Sequence, residues 1–261
     1  MANIELSLIG LLIGTLVGLT GVGGGVLMTP ILIIVMGIPP STAIGTDLFY
    51  AAITKIVGAA QHWNLKTIDL GIAASLATGS IPAVLIGTYL VKIIKESGGD
   101  AAENILSQIL AAALILVALV MLGRLFLARR STLRLDGASS LSKSRQRIFT
   151  VLLGFVSGLL VGLTSIGAGS LIMLFLVILY ALPAKQLVGT DLFHAAVLAS
   201  IAALGHLLVG NVNLPMAGML LTGSIPGVLI GSRISARVPD SVLRFGIAVM
   251  LIISGVRLIG A

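Results

Sequence analysis

The chain repeats itself at an interval of 144 residues, and that interval governs what it can fold into. Gly18-Leu19-Thr20-Gly21-Val22-Gly23-Gly24-Gly25 returns as Gly162-Leu163-Thr164-Ser165-Ile166-Gly167-Ala168-Gly169. Gly45-Thr46-Asp47-Leu48-Phe49 returns as Gly189-Thr190-Asp191-Leu192-Phe193, and Thr78-Gly79-Ser80-Ile81-Pro82 as Thr222-Gly223-Ser224-Ile225-Pro226. His62 returns as His206. The register does not slip between these blocks, so each half is expected to be one structural unit built on a shared plan. Two apolar halves, each with a glycine-interrupted segment, form a pattern found in membrane transporters.

Composition places the repeat in a bilayer. Only 10% of the 261 residues are charged and 57% are hydrophobic, with a mean hydropathy of +1.17. Soluble domains carry about 25% charge. The apolar runs reach the ~20 residues that a helix needs to cross a membrane. They lack the two-residue alternation of barrel strands, so the spans are predicted to be helices. The absence of cysteine excludes disulfides and thiolate metal sites. No basic region precedes the first apolar run, so no cleavable signal is expected.

The net charge of +7 is concentrated between Arg124 and Arg147, where seven cations face the single anion Asp136. This is the signature of a cytoplasmic loop, not of a nucleic-acid surface. The predicted organisation is a first transmembrane repeat over 1–128, a basic cytoplasmic linker over 129–147 and a second repeat over 148–261. Each half contains four apolar segments. The first, Ile4 to Met36 or Ile148 to Leu182, is too long for one upright helix and is broken at its glycines. Two short helices of about 12 to 15 residues each are expected there, marginal as independent spans.

Such a segment either crosses once as a broken helix or dips in and returns as a hairpin. Charge separates the two. With the linker inside, a single crossing would put Arg233, Arg237 and Arg244 outside, against the positive-inside rule. A hairpin leaves three full crossings per half and inverts one half relative to the other. Lys66, Lys185 and the three arginines then all fall inside. The predicted fold is therefore all-α and integral to the membrane: two inverted repeats, each a glycine-broken short-helix hairpin plus three spanning helices.

The paired glycine turns and Gly-Thr-Asp-Leu-Phe blocks, each within a four-segment half, resemble the TauE/SafE family of membrane permeases over nearly the whole chain. The resemblance implies transport of small sulfur-containing or organic anions such as sulfite or sulfonates in the cell (inner) membrane. The second half departs from the first at Ser165 for Gly21, Ala168 for Gly24, Leu174 for Pro30 and Ala199 for Lys55.

The candidate substrate-binding residues cluster at the two turns: Thr20, Gly21, Gly23, Gly24 and Gly25, with Thr164, Ser165, Gly167 and Gly169. A broken helix frees backbone N–H groups, and its positive end suits an oxyanion that glycine leaves unobstructed. Close helix packing is the competing role for these glycines. Asp47 and Asp191 lie inside spans, where a charge costs at least ~2.5 kcal/mol. They either couple transport to protons or cap the broken helices. Thr46 and Thr190 are substrate or cap donors. Lys55, eight residues after Asp47, offers positive charge to an anion, unless it snorkels or pairs with Asp47. His62 and His206 relay protons or are satisfied interfacial residues.

Ser80 and Ser224, before the prolines, line a path or bond back to their helix. The expected protein is not an enzyme, since the paired aspartates and histidines supply no distinct nucleophile and base. It is a secondary transporter of a small anion, probed against a passive channel as the alternative. No cofactor or metal is expected. The partners are a small anion and the lipid bilayer, with nucleic acid excluded and a homo-oligomer left open.

Overall fold

The computed structural model describes residues 2–20, 25–130, 142–166, 169–180, 182–235 and 240–260. Over these residues the chain is helical: α1 (Ala2–Thr20), α2 (Gly25–Ile34), α3 (Pro40–Asn64), α4 (Leu70–Ser97), α5 (Gly99–Arg130), α6 (Lys143–Thr164), α7 (Ser170–Leu179), α8 (Ala184–Leu208), α9 (Leu214–Ser235) and α10 (Asp240–Ile259). Adding 144 carries α1–α5 onto α6–α10. Among the described residues six helices are long and apolar enough to cross a membrane: α3, α4, α5, α6, α8 and α9. The protein is thus an all-α, multi-pass membrane protein.

The broken first segments differ from the equal halves expected. The helix before the glycines is long, 19 residues in α1 and 22 in α6, and the helix after them has 10 residues in both α2 and α7. The physical reason is the partner each long helix finds. α1 lies along α9, and α6 along α4, in extended parallel contact. A Cβ added at Gly223, Gly227 or Gly231 of α9 would meet the carbonyl oxygens of Ser7, Leu11 and Thr15 at 1.8, 2.4 and 2.1 Å. Gly79 of α4 meets the Val151 carbonyl at 2.0 Å in the equivalent seam, and Gly158 of α6 meets that of Ser80 at 2.4 Å. Glycine at every fourth residue lets backbones touch, which drives association where lipid removes the hydrophobic effect. That seam holds α1 and α6 helical up to their turns.

The equivalent helices α3 and α8 pair antiparallel at the centre. Gly45 near the start of α3 abuts Asn211 beyond the end of α8, and Gly189 near the start of α8 abuts Thr67 beyond the end of α3. α5 and α10 also run antiparallel, with the Ser107 hydroxyl donating to the Leu258 carbonyl at 3.3 Å. The chain path through the break follows from these contacts. The Ser7 hydroxyl of α1 bonds the Met219 carbonyl near the start of α9. Just before α9, the Asn213 N–H donates to Thr46 near the start of α3 at 3.0 Å. α1 and α3 therefore begin at the same end of the molecule, and α2 leads the chain back.

Local signals fix the helix starts. Pro39 and Pro40 open α3, where a missing N–H costs nothing. Asp69 caps α4 by accepting from the Ile72 N–H at 3.0 Å, and Asn213 accepts from Met216 at 3.1 Å in the same place of the other half.

Candidate functional site

Asp47 is the centre of the polar interior. It is the eighth residue of α3 and has no exposed surface. Its Oδ2 accepts two hydroxyls at 2.5 Å, from Thr29 of α2 and from Ser165 at the turn after α6. Those two hydroxyls lie 2.7 Å apart. One carboxylate thus ties the broken segment of the first half to the break of the second. Its other oxygen, Oδ1, is buried without a partner among the described residues, which is costly for a carboxylate unless a proton or a ligand answers it. Ser165 reaches Asp47 because it sits in the left-handed region, at φ 61, as the residue ending α6. Glycine favours that conformation, and Gly21 holds the same position in the first half.

The equivalent carboxylate differs. Asp191 Oδ1 is also buried without a partner among the described residues. However, the positions matching Thr29 and Ser165 are Met173 and Gly21, which carry no hydroxyl. Lys55 makes no salt bridge with either aspartate among the described residues, where Lys92–Glu96 at 3.7 Å is the pair present. α3 and α8 thus carry two carboxylates, Asp47 and Asp191, and the part-buried Lys55, which has no ion-pair partner among the described residues.

The other predicted residues divide. Thr46 and Thr190 stand beside the aspartates but serve the chain entries: Thr190 accepts from the Asp69 N–H at 2.8 Å, as Thr46 does from Asn213. Thr164 donates to the Leu160 carbonyl at 2.6 Å and accepts from the Ile166 N–H. His62 and His206 lie at the far ends of α3 and α8, bonded to Thr67 at 2.8 Å and to the Gly162 carbonyl at 3.0 Å. Gly25 opens α2, and Gly169 precedes α7, its carbonyl accepting from Met173 at 3.1 Å. Thr20 ends α1. Gly21, Gly23, Gly24 and Gly167 lie outside the described residues.

Sequence reasoning overlooked Thr29, Tyr50 and His194. The Tyr50 hydroxyl bonds that of Ser224, and His194 Nε2 bonds the Ser80 hydroxyl at 2.7 Å. Tyr50 and His194 are repeat equivalents, as are Ser224 and Ser80, so each half presses a polar ring onto the serine before the other half's helical proline. Ser80 and Ser224 thereby bond across helices. The signal was present: each ring lies three residues after its aspartate, on one helical face. His194 Nδ1 is buried without a partner among the described residues. Among those residues no group of three metal-type ligands converges. A cavity of about 440 Å³ between α3 and α8, lined by Ile56, Trp63, Phe193 and Val197 among others, is apolar apart from Ser200 and holds none of the predicted site residues.

The family model described as Sulfite exporter TauE/SafE matches residues 6–258. The probable membrane transporter protein YjnA of Bacillus subtilis is 43% identical over 257 residues, covering 98% of this chain and all of that protein. The probable membrane transporter protein YunE of the same organism is 26% identical over 99% of this chain and 98% of its own length. The Sulfite exporter TauE/SafE family protein 1 of Arabidopsis thaliana is 33% identical over 100 residues, 38% of this chain and 22% of that one. No solved structure matches. With a model covering nearly its whole length and a full-length relative, the chain belongs to the TauE/SafE family of membrane transporters.

Proposed function

We propose that the protein exports a small oxygen-rich anion, sulfite or an organic sulfonate, by alternating access between two inverted halves, coupled to protons through Asp47 and Asp191. The observation that carries this reading is the Asp47 constellation. A wholly buried carboxylate joins α2 of the first half to the break of the second, one oxygen taking two hydroxyl bonds and the other none among the described residues. Adding a proton there removes a negative charge from the path and leaves Lys55 as the dominant charge facing an incoming anion. The single protons of the Thr29 and Ser165 hydroxyls, now given to Asp47 Oδ2, become available to the oxygens of an anion once Asp47 is protonated.

The antiparallel pairing of the equivalent spans α3 and α8 supports the inversion, and α10 runs antiparallel to α5 in the same sense. When equivalent spanning helices run opposite ways, the axis relating them lies in the membrane plane. On this reading 1–128 and 148–261 are the repeats, and the linker 129–147 is cytoplasmic. Lys66, Lys185, Arg233, Arg237 and Arg244 then share the inner face.

The test is a thermal-shift and vesicle-flux screen of sulfite, sulfate, thiosulfate, sulfonates and carboxylates with the purified full chain. Saturable flux that supports counter-flow is expected, with affinity falling about tenfold in Lys55→Ala, in the range of one lost charged hydrogen bond. Conductance at channel rates would remove the carrier mechanism. Unchanged affinity in Lys55→Ala would remove Lys55 from the anion path.

A further inference from the structure

Three contacts at the C-terminal end of α8 have no equivalent 144 residues away among the described residues. There His206, with no exposed surface, donates from Nε2 to the Gly162 carbonyl of α6 at 3.0 Å. Lys95, near the end of α4, donates to Asn211 Oδ1 at 2.6 Å. Gly205 lies so near α4 that a Cβ there would sit 2.8 Å from the Thr88 methyl. The end of α8 is thus fastened to both helices of the α4–α6 seam.

Among the described residues, the same end of α3 makes none of these three contacts with α1 or α9. His62 is only half-buried and bonds Thr67 within its own loop, leaving the Gly18 carbonyl, the equivalent of Gly162, without it. Gln61, in the place of Gly205, is exposed. Pro239 and Thr67 occupy the positions of Lys95 and Asn211, so no ammonium–amide bond can form on this side.

We propose that the His206–Gly162, Lys95–Asn211 and Gly205–Thr88 contacts are a closed gate, and that the corresponding gate at the end of α3 stands open. The inference rests on the transporter reading above and adds the state and the residues that hold it. Two halves built on one plan exchange conformations as access alternates, so the second state has α3 docked on α1 and α9, with His62 on the Gly18 carbonyl. Lys95–Asn211 has no counterpart, which biases the resting protein toward the state described. With the linker cytoplasmic, the fastened end faces outward and the unfastened end inward.

Cysteine reactivity in this cysteine-free chain tests the gate. Thr88→Cys reports the closed end and Gln61→Cys the open one, each as a single cysteine in the full-length protein in vesicles permeabilised to a small hydrophilic maleimide. Gln61→Cys is expected to react at least about tenfold faster than Thr88→Cys. Adding Lys95→Met or Asn211→Ala should raise the Thr88→Cys rate severalfold, whereas Asn211→Asp, which keeps an acceptor for Lys95, should leave it low. Equal rates at the two ends, or a Thr88→Cys rate indifferent to Lys95→Met in a folded protein, overturn the gate. Equal rates with anion flux intact would sink the gate alone; absence of any flux with the labelling asymmetry present would sink the transport reading instead.

Discussion

At the scale of single residues, the two aspartates of the repeat have diverged in surroundings while keeping their identity. Asp47 has Thr29 and Ser165; Asp191 has Met173 and Gly21 at the same places. Among the described residues the carboxylate held by hydroxyls is Asp47, which takes one donor from each half. Asn has an oxygen that can accept both hydroxyls, so Asp47→Asn should keep the fold while losing the proton. Expected is flux that no longer depends on a pH gradient, with anion binding retained in a thermal-shift assay. Flux that still follows the gradient would remove Asp47 from coupling, and loss of folded protein would favour the capping role. Thr29→Val keeps the shape and removes one donor from a buried carboxylate. A loss of about 1.5–3 kcal/mol is expected, the worth of a hydrogen bond to a charged group, read as a lower melting temperature in detergent. The aspartates could be read from sequence because identical Gly-Thr-Asp blocks announce themselves. Thr29 could not, since its equivalent is a methionine and only the folded turn brings it to Asp47. Tyr50 and His194 escaped for a related reason: they are unlike residues at matching positions, and a search for identities passes over them.

At the scale of elements, the glycines have two uses that the sequence does not separate. The turn glycines are the expected site, and among the described residues the closest backbone approaches occur along α9 and α4, at Gly223 and Gly79. The fourfold spacing of Gly223, Gly227 and Gly231 is plain in the sequence. Their partner is not, because the seam joins the fourth helix-forming stretch of one half to the first of the other. For the same reason the lengths of α1 and α2 were misjudged: apolarity is uniform on both sides of the break, and only the cross-half contact extends one helix. Gly79→Ala should cost at least about 1–3 kcal/mol, since the new methyl meets the Val151 carbonyl, which cannot move alone. Gly218→Ala, where nothing lies within 4 Å of the added carbon, should be neutral or stabilising by up to ~1 kcal/mol. A thermal melt of the two variants side by side distinguishes seam from surface, and equal melting temperatures would remove the seam as the main clamp.

At the scale of the whole molecule, the halves are not bundles set side by side. α1 belongs by contact to α9 and α6 to α4, so each half contributes its broken helix to a seam with the other. This exchange gives two bodies, α1 with α9 and α4 with α6, flanking the central pair α3 and α8. On the alternating-access proposal, a rocking motion of one body against that pair would open one end and close the other without breaking a glycine seam. The same geometry fixes sidedness once one loop is placed. If the linker 129–147 is cytoplasmic, Lys66 must share its face and Asn213 must face out, because α3 and α8 run oppositely and each loop follows its helix end. Cysteines introduced singly at Lys66 and at Asn213 in intact cells should therefore give opposite results with a membrane-impermeant maleimide: Asn213→Cys labelled, Lys66→Cys protected until the cells are lysed. Labelling of both from outside would contradict antiparallel halves across a membrane. Labelling of Lys66→Cys alone would keep the inversion but reverse its sense, moving the basic linker to the outer face against the charge rule that first suggested the arrangement.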